Sequence, residues 1–340
     1  MKAILVDQPM SVRIADVEKP VIGEKDVLIK IISAGICGSD VGIYYGTNSL
    51  VTYPRLIGHE YGGQVVEIGS AVEHIQVGDY VAVDPVRSCG HCYACRHDRH
   101  NVCSTLEVTG VHRDGGFAEY VCAEECYCYP IDMDGFPKEY LCLAEPYSIG
   151  VNVNHRGRIT ADDNVLIMGS GPIGLCVMQA AKYRGATVTM TDLVDSRLQR
   201  AKEMGADYVC NAGAPNYVQD LLAQTEDHQG FTVVVDTVCT TWSFTQALDM
   251  ACPAGRVVAL GLINKPSEVA QVVITKKELD VVGSRLSNHR FPEVIECFKN
   301  GAFTPEKLCT HKVPCEDVEK ALKEIKEHPE NVCKIIVSFD

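Results

Sequence analysis

The chain has 340 residues, 46% of them apolar and 22% charged, enough for a large buried core and, by length, for two domains. Its formal charge of −14 excludes nucleic acid and anionic membrane as partners, because phosphate neutralisation needs a basic face. Residues 1–7 read as a short strand rather than a secretory leader, and no apolar run reaches bilayer length. The seventeen cysteines therefore point to metal ligands and buried thiols in a cytoplasmic protein rather than to disulfides.

Residues 1 to about 150 read as mostly β. Runs at 27–32, 64–68 and 77–83 are rich in β-branched residues and bounded by glycine or polar turns. Among them, Cys37-Gly38-Ser39-Asp40 and Gly58-His59-Glu60-Tyr61-Gly62-Gly63 offer a thiol, an imidazole and a carboxylate, the donor types that suit Zn²⁺. A catalytic zinc takes three protein ligands and leaves one position open, so Cys37, His59 and one acid suffice. Glu60 and the later Glu145, in Leu143-Ala144-Glu145-Pro146, both qualify. The plain alternative is a core cysteine and a surface histidine that are merely close in sequence.

Cys89, Cys92, Cys95 and Cys103 follow the spacing C-x2-C-x2-C-x7-C, which predicts a closed four-thiolate structural zinc site in a lobe at about 87–104. An iron–sulfur cluster uses similar spacings, and four unligated thiols are the third option. His91, His97 and His100 read as solvated loop residues. Cys122, Cys126 and Cys128 fit strand alternation and read as ordinary thiols.

Near residue 160 the texture changes to alternating β and α. A strand at 165–168 leads into Gly169-Ser170-Gly171-Pro172-Ile173-Gly174, a helix to Gly185, and a second strand at 187–191 that ends on Asp192. A glycine triad in this setting binds a dinucleotide, with the pyrophosphate at the helix N-terminus and the acid on the ribose hydroxyls. Asp192 would repel a 2′-phosphate, which favours NAD over NADP; Arg197 pairs with an acid or lies over the adenine edge. Further strands at 208–211, 231–236, 256–260 and 279–282 complete a doubly wound parallel sheet. Its ligand crevice lies beyond the strand C-termini, at Val238, Leu260, Leu262, Ser284 and Arg285. Helices at 292–300 and 316–328 and a strand at 333–339 return to the first domain.

Gly58, His59, Glu60, Gly63, Gly69 and Val72 match the G-H-E-x2-G-x5-G-x2-V signature, and the chain resembles the zinc-containing alcohol dehydrogenases of the medium-chain dehydrogenase/reductase superfamily. That resemblance implies a GroES-like catalytic domain at 1–151 and 288–340 and a Rossmann NAD-binding domain at 152–287. It also implies two zinc ions per subunit and a homodimer or homotetramer. It makes Ser39 the first proton acceptor, with Glu60 and Glu145 both at the catalytic zinc and their order open.

Ala82-Val83-Asp84-Pro85, Asn101-Val102-Cys103, Asp114-Gly115-Gly116-Phe117 and Val282-Gly283-Ser284-Arg285 resemble bacterial starvation-sensing-type dehydrogenases and hexonate 5-dehydrogenases. The likeness implies NAD-dependent oxidation of a secondary alcohol on a sugar acid, L-gulonate first, then L-idonate or L-galactonate. A carboxylate substrate needs a fixed cation, for which His112, Arg113 and Arg285 are the candidates. The alternatives are a polyol, sugar-phosphate or threonine dehydrogenase and, from another class, a zinc- and dinucleotide-binding regulatory sensor.

Overall fold

In the computed structural model, which describes residues 1–131 and 135–339, the strand Asp26–Gly35 organises the first unit. It is largely buried and pairs antiparallel with Glu60–Ile68, with Tyr120–Glu124 and with the C-terminal strand Lys334–Ser338. Ile336 lies opposite Gly35 and Val337 opposite Ala34, so the end of the chain sits in the middle of the sheet. Tyr80–Val83 and Cys128–Pro130 extend it on one side and Cys309–Pro314 on the other. Val77, expected at the head of a strand, is 59% exposed and lies outside it, since the turn at Gly78 takes a left-handed φ of +102°.

The chain divides into two compact units. One comprises Met1–Glu145, Ser287–Lys299 and Pro305–Asp340, and the other Pro146–Leu286 and Asn300–Thr304. The division falls inside the helix Ala144–Gly157, so that Glu145, in its first turn, belongs to the first unit. Residues 300–304 belong with the second unit because Phe303 stacks on Tyr147 at 4.7 Å and Gln179 Nε2 donates to Thr304 Oγ1 at 2.6 Å.

The second unit holds a six-stranded parallel sheet in the spatial order Tyr208–Asn211, Thr187–Asp192, Asn164–Met168, Phe231–Asp236, Ala251–Ala259, Asp280–Gly283. Both directions of winding start from Asn164–Met168, which is the doubly wound, Rossmann-type arrangement. The three middle strands read as apolar runs because helices cover both faces. Below them Leu166, Phe231, Val234, Leu248 and Val257 form one fully buried cluster. Among the described residues no helix is long and apolar enough to cross a membrane.

Phe231 is fully buried at the centre of that cluster. Phe231→Ala is expected to destabilise the second unit by about 3–5 kcal/mol, read as a lower denaturant midpoint in an otherwise folded chain. A change under about 1 kcal/mol would mean that the cluster repacks.

Candidate functional site

The first unit gathers a thiol, an imidazole and three acids. Cys37 is the N-cap of the helix Gly38–Tyr44, and its backbone N–H donates to Asp40 Oδ2 at 2.8 Å. The same carboxylate accepts from Gly58 N at 3.2 Å and stands 3.8 Å from His59 Nδ1. Asp40 thus ties the cysteine turn to the histidine turn. Cys37, His59 and Glu60 each place a ligand atom within 4.8 Å of the other two. Glu145 joins this pocket from the start of the helix Ala144–Gly157, buried to 5% exposure.

Two side-chain atoms here are buried without a hydrogen-bond partner, His59 Nδ1 and Ser39 Oγ. Buried polar atoms are rarely left so, and a thiol, an imidazole and a carboxylate gathered this closely are a metal donor set. The residues therefore fit a zinc ion held by Cys37, His59 and an acid.

Burial dominates the electrostatics. It pushes Glu145 up to about 8, with His59 opposing and Glu60 adding to the rise, and it raises Asp40 despite the neighbouring His59. Burial alone would lower the His59 imidazole, yet Cys37, Asp40 and Glu145 outweigh it and hold it well above its usual value. Glu60 is fully buried, and both its oxygens accept from Lys334 Nζ, at 2.7 and 2.8 Å.

The four lobe cysteines also converge, their sulfurs within 4.8 Å of one another. Cys92 Sγ lies 3.5 Å from Cys95 Sγ and 3.9 Å from Cys103 Sγ. Backbone N–H groups point at the sulfurs, from Cys89 to Cys103 and from Cys92 to Cys89, both at 3.3 Å. Amides of Cys95 and Ser104 pull the Cys92 thiol down to about 5, which prepares a thiolate. Four sulfurs with amide donors fit a closed tetrahedral zinc. His91 and His97 bond backbone carbonyls instead, while His100, expected in solvent, is buried with its ring tilted against His289 at 4.0 Å.

In the second unit Gly169 turns with φ +97°, and a Cβ on Gly174 would stand 2.0 Å from the Gly169 carbonyl oxygen. A Cβ on Gly171 would meet no protein atom, so any demand for glycine there comes from a ligand rather than from packing. Gly171 caps the helix Pro172–Tyr183, with Pro172 and Ile173 in its first turn. Asp192 accepts from Ser170 N at 2.9 Å and from Val194 N at 3.0 Å, which fixes the acid against the glycine loop and leaves lone pairs for hydroxyl donors. Arg197 Nη1 is 3.8 Å from Asp192, an acid partner of the kind expected of it. At the C-terminal ends of the strands, Val238 is 46% and Leu262 76% exposed, and Leu260 is half-buried. Ser284 donates its N–H to Ala259 O, and Asn152 Nδ2 donates to Ser284 Oγ and to the carbonyls of Arg285 and Leu286.

His112 and Arg113 have local partners. His112 Nδ1 accepts from Val108 N at 3.0 Å, and Arg113 stands 3.9 Å from Glu107. Both line a cavity of about 1120 Å³ with Arg55, Tyr61 and Cys122, and none of Cys37, His59, Glu60 or Glu145 lines it. Asp40, Asn152 and Lys334 were not assigned roles from sequence. The only signal for Lys334 is a lysine inside an otherwise apolar closing strand.

The description "Alcohol dehydrogenase GroES-like domain" matches residues 23–133, and "Zinc-binding dehydrogenase" matches residues 172–300. The chain is 40% identical to the starvation-sensing protein RspB of Escherichia coli K12, covering 100% of this chain and 99% of that protein. It is 30% identical to the L-galactonate-5-dehydrogenase of the same organism, over 92% of each. A crystal structure of an alcohol dehydrogenase, RspB from E. coli CFT073, complexed with NADH superposes with a TM-score of 0.94 at 39% identity, covering 100% of this chain and 99% of that one.

In the metal-free chain Asp40, His59 and Glu145 all hold protons more tightly folded than unfolded. Stability from such groups is full below their unfolded pKa and is lost as pH rises through the folded one, about 8 for Glu145. The Tm of chelated protein is therefore expected to fall from pH 6 to 8.5. Zinc-saturated protein should not show that fall, because the metal needs deprotonated ligands. A chelated Tm that stays flat over this window would mean the acids are already ionised.

Proposed function

The chain belongs to the zinc-type alcohol dehydrogenases of the medium-chain dehydrogenase/reductase superfamily, and on that premise we propose that it oxidises a secondary alcohol of a sugar acid with NAD, L-gulonate at C5 first among the substrates. The observation that carries the reading is the convergence of Cys37, His59 and Glu60 beside the partnerless Ser39 hydroxyl. The similarity to an L-galactonate-5-dehydrogenase supports the sugar-acid class.

Cys37 and His59, with Glu60 or Glu145, would hold a zinc ion whose charge acidifies the substrate hydroxyl, and NAD would supply the hydride acceptor. Ser39 Oγ accepts the hydrogen bond from that hydroxyl and carries its proton outward. Asp40 keeps the His59 turn in place, as carboxylates behind ligating histidines do. Asp192 receives the ribose hydroxyls and disfavours a 2′-phosphate, while the N-terminus of the helix Pro172–Tyr183 receives the pyrophosphate. The cations considered for the substrate carboxylate are His112, Arg113 and Arg285, of which His112 also bonds Val108 and Arg113 stands near Glu107.

A second, structural zinc belongs to Cys89, Cys92, Cys95 and Cys103 in this reading. A homodimer or homotetramer fits the edge strand Asp280–Gly283, whose unpaired backbone groups and exposed Val281 suit pairing with a second copy. A cytoplasmic setting agrees with seventeen cysteines, none of them in a disulfide among the described residues.

A substrate panel with NAD, followed by NADH absorbance, tests the specificity. L-gulonate, L-idonate or L-galactonate is expected to give a kcat/KM at least about tenfold above sorbitol, a sugar phosphate or L-threonine, in line with one charge-assisted contact of about 1.5–3 kcal/mol. A preference for the neutral polyol would sink the sugar-acid assignment.

Metal analysis should find two zinc ions per chain and one in Cys95→Ser, with a large loss of thermal stability in the variant, since a structural zinc contributes folding energy directly. An unchanged metal count would leave the lobe without its ion.

A further inference from the structure

Lys334 is the one buried lysine among the described residues, at 3% exposure. The strand Lys334–Ser338 brings it from the end of the chain to the metal centre, and its ammonium has three partners there. It donates to Glu60 Oε1 at 2.7 Å, to Glu60 Oε2 at 2.8 Å and to the carbonyl of Ile36 at 3.2 Å, next to Cys37. The surroundings are shaped for this pairing. A Cβ on Gly35 would stand 2.2 Å from Glu60 Oε2, so the Glu60 conformation that meets Lys334 needs a glycine at that place in the strand. Even so paired, Glu60 keeps an oxygen within 4.8 Å of the Cys37 sulfur and a His59 nitrogen.

Cys37, His59 and Glu60 are three donors around one position, and Glu145, buried near enough to act on His59 and Glu60, offers a fourth. If all four bound a four-coordinate zinc with equal strength the shell would close, as it does in structural sites, and no place would remain for a substrate oxygen. We propose that Lys334 is a positioning residue that shares the Glu60 carboxylate with the metal, weakening Glu60 as a ligand and so keeping one coordination position exchangeable. The proposal rests on the zinc-dehydrogenase reading given above. An ammonium bonded to both carboxylate oxygens competes for the lone pairs a metal would use, and its charge repels a divalent cation. Removing it should therefore tighten metal binding. Loss of an ordinary supporting partner does the reverse, weakening binding 10–100-fold.

The test is release of zinc from the full-length, zinc-loaded protein to an excess of chelator. Wild type should give up the Cys37-centre zinc early and the four-cysteine zinc late. In Lys334→Met the early zinc is expected to leave at least about tenfold more slowly, and the cobalt-substituted variant should absorb more weakly in the visible, as a higher coordination number requires. The Tm gap between zinc-loaded and chelated protein should also widen, because the metal takes over the stranded Glu60 charge. A lysine with a purely structural role would lower both Tm values in parallel and leave release unchanged. Lys334→Arg preserves a two-oxygen grip and should release zinc within about twofold of wild type.

Release from Lys334→Met at the wild-type rate or faster overturns the proposal. If that variant does not fold, Glu60→Gln is compared with Glu60→Gln/Lys334→Met. The two should agree within about threefold, and a tenfold difference would show that Lys334 does not act through Glu60. A wild-type protein that holds no zinc at Cys37 would instead sink the dehydrogenase reading itself.

Discussion

The burial of Glu60 against Lys334 is the constraint on which the metal centre depends. Asp40, Glu60 and Glu145 are all buried in one unit around a single imidazole and a single ammonium. An isolated buried carboxylate is costly, so each must be paired, protonated or bound to a metal. Lys334 neutralises Glu60, backbone amides and His59 hold Asp40, and burial pushes Glu145 up to about 8. A pocket with this excess of negative donors is arranged for a cation.

The lobe cysteines solve the opposite problem. They stand on short turns with little apolar support, and amide N–H groups aimed at sulfur favour thiolates there. Four thiolates would close the shell around their ion, whereas the Cys37 centre mixes sulfur, nitrogen and a carboxylate already engaged by a lysine. Zinc held at both places would be inert in one and reactive in the other because of what surrounds the ligands rather than the number of donors nearby.

The dinucleotide side rests on backbone geometry more than on charge. Ser170 N and Val194 N clamp Asp192 at the end of its strand, and the Gly169 turn and the Gly174 contact bring the helix Pro172–Tyr183 against the sheet. Asn152 holds the segment 284–286 through three acceptors. These contacts lie within one unit.

The doubly wound sheet was legible in the chain because apolar strand periods, the glycine triad and a terminal acid are local patterns. The four-cysteine spacing and the G-H-E signature were legible for the same reason, each lying within about fifteen residues. The return of residues 300–304 to the second unit escaped, since it depends on Phe303 finding Tyr147, more than 150 residues earlier. His100 read as solvated until His289 covered it. Above all, Lys334 lies 274 positions from Glu60, and nothing near it in the sequence indicates a carboxylate. Local chemistry determined which groups could hold a metal and a dinucleotide. Only tertiary packing decided which acid meets a lysine, because that pairing is set by strand register in the assembled sheet.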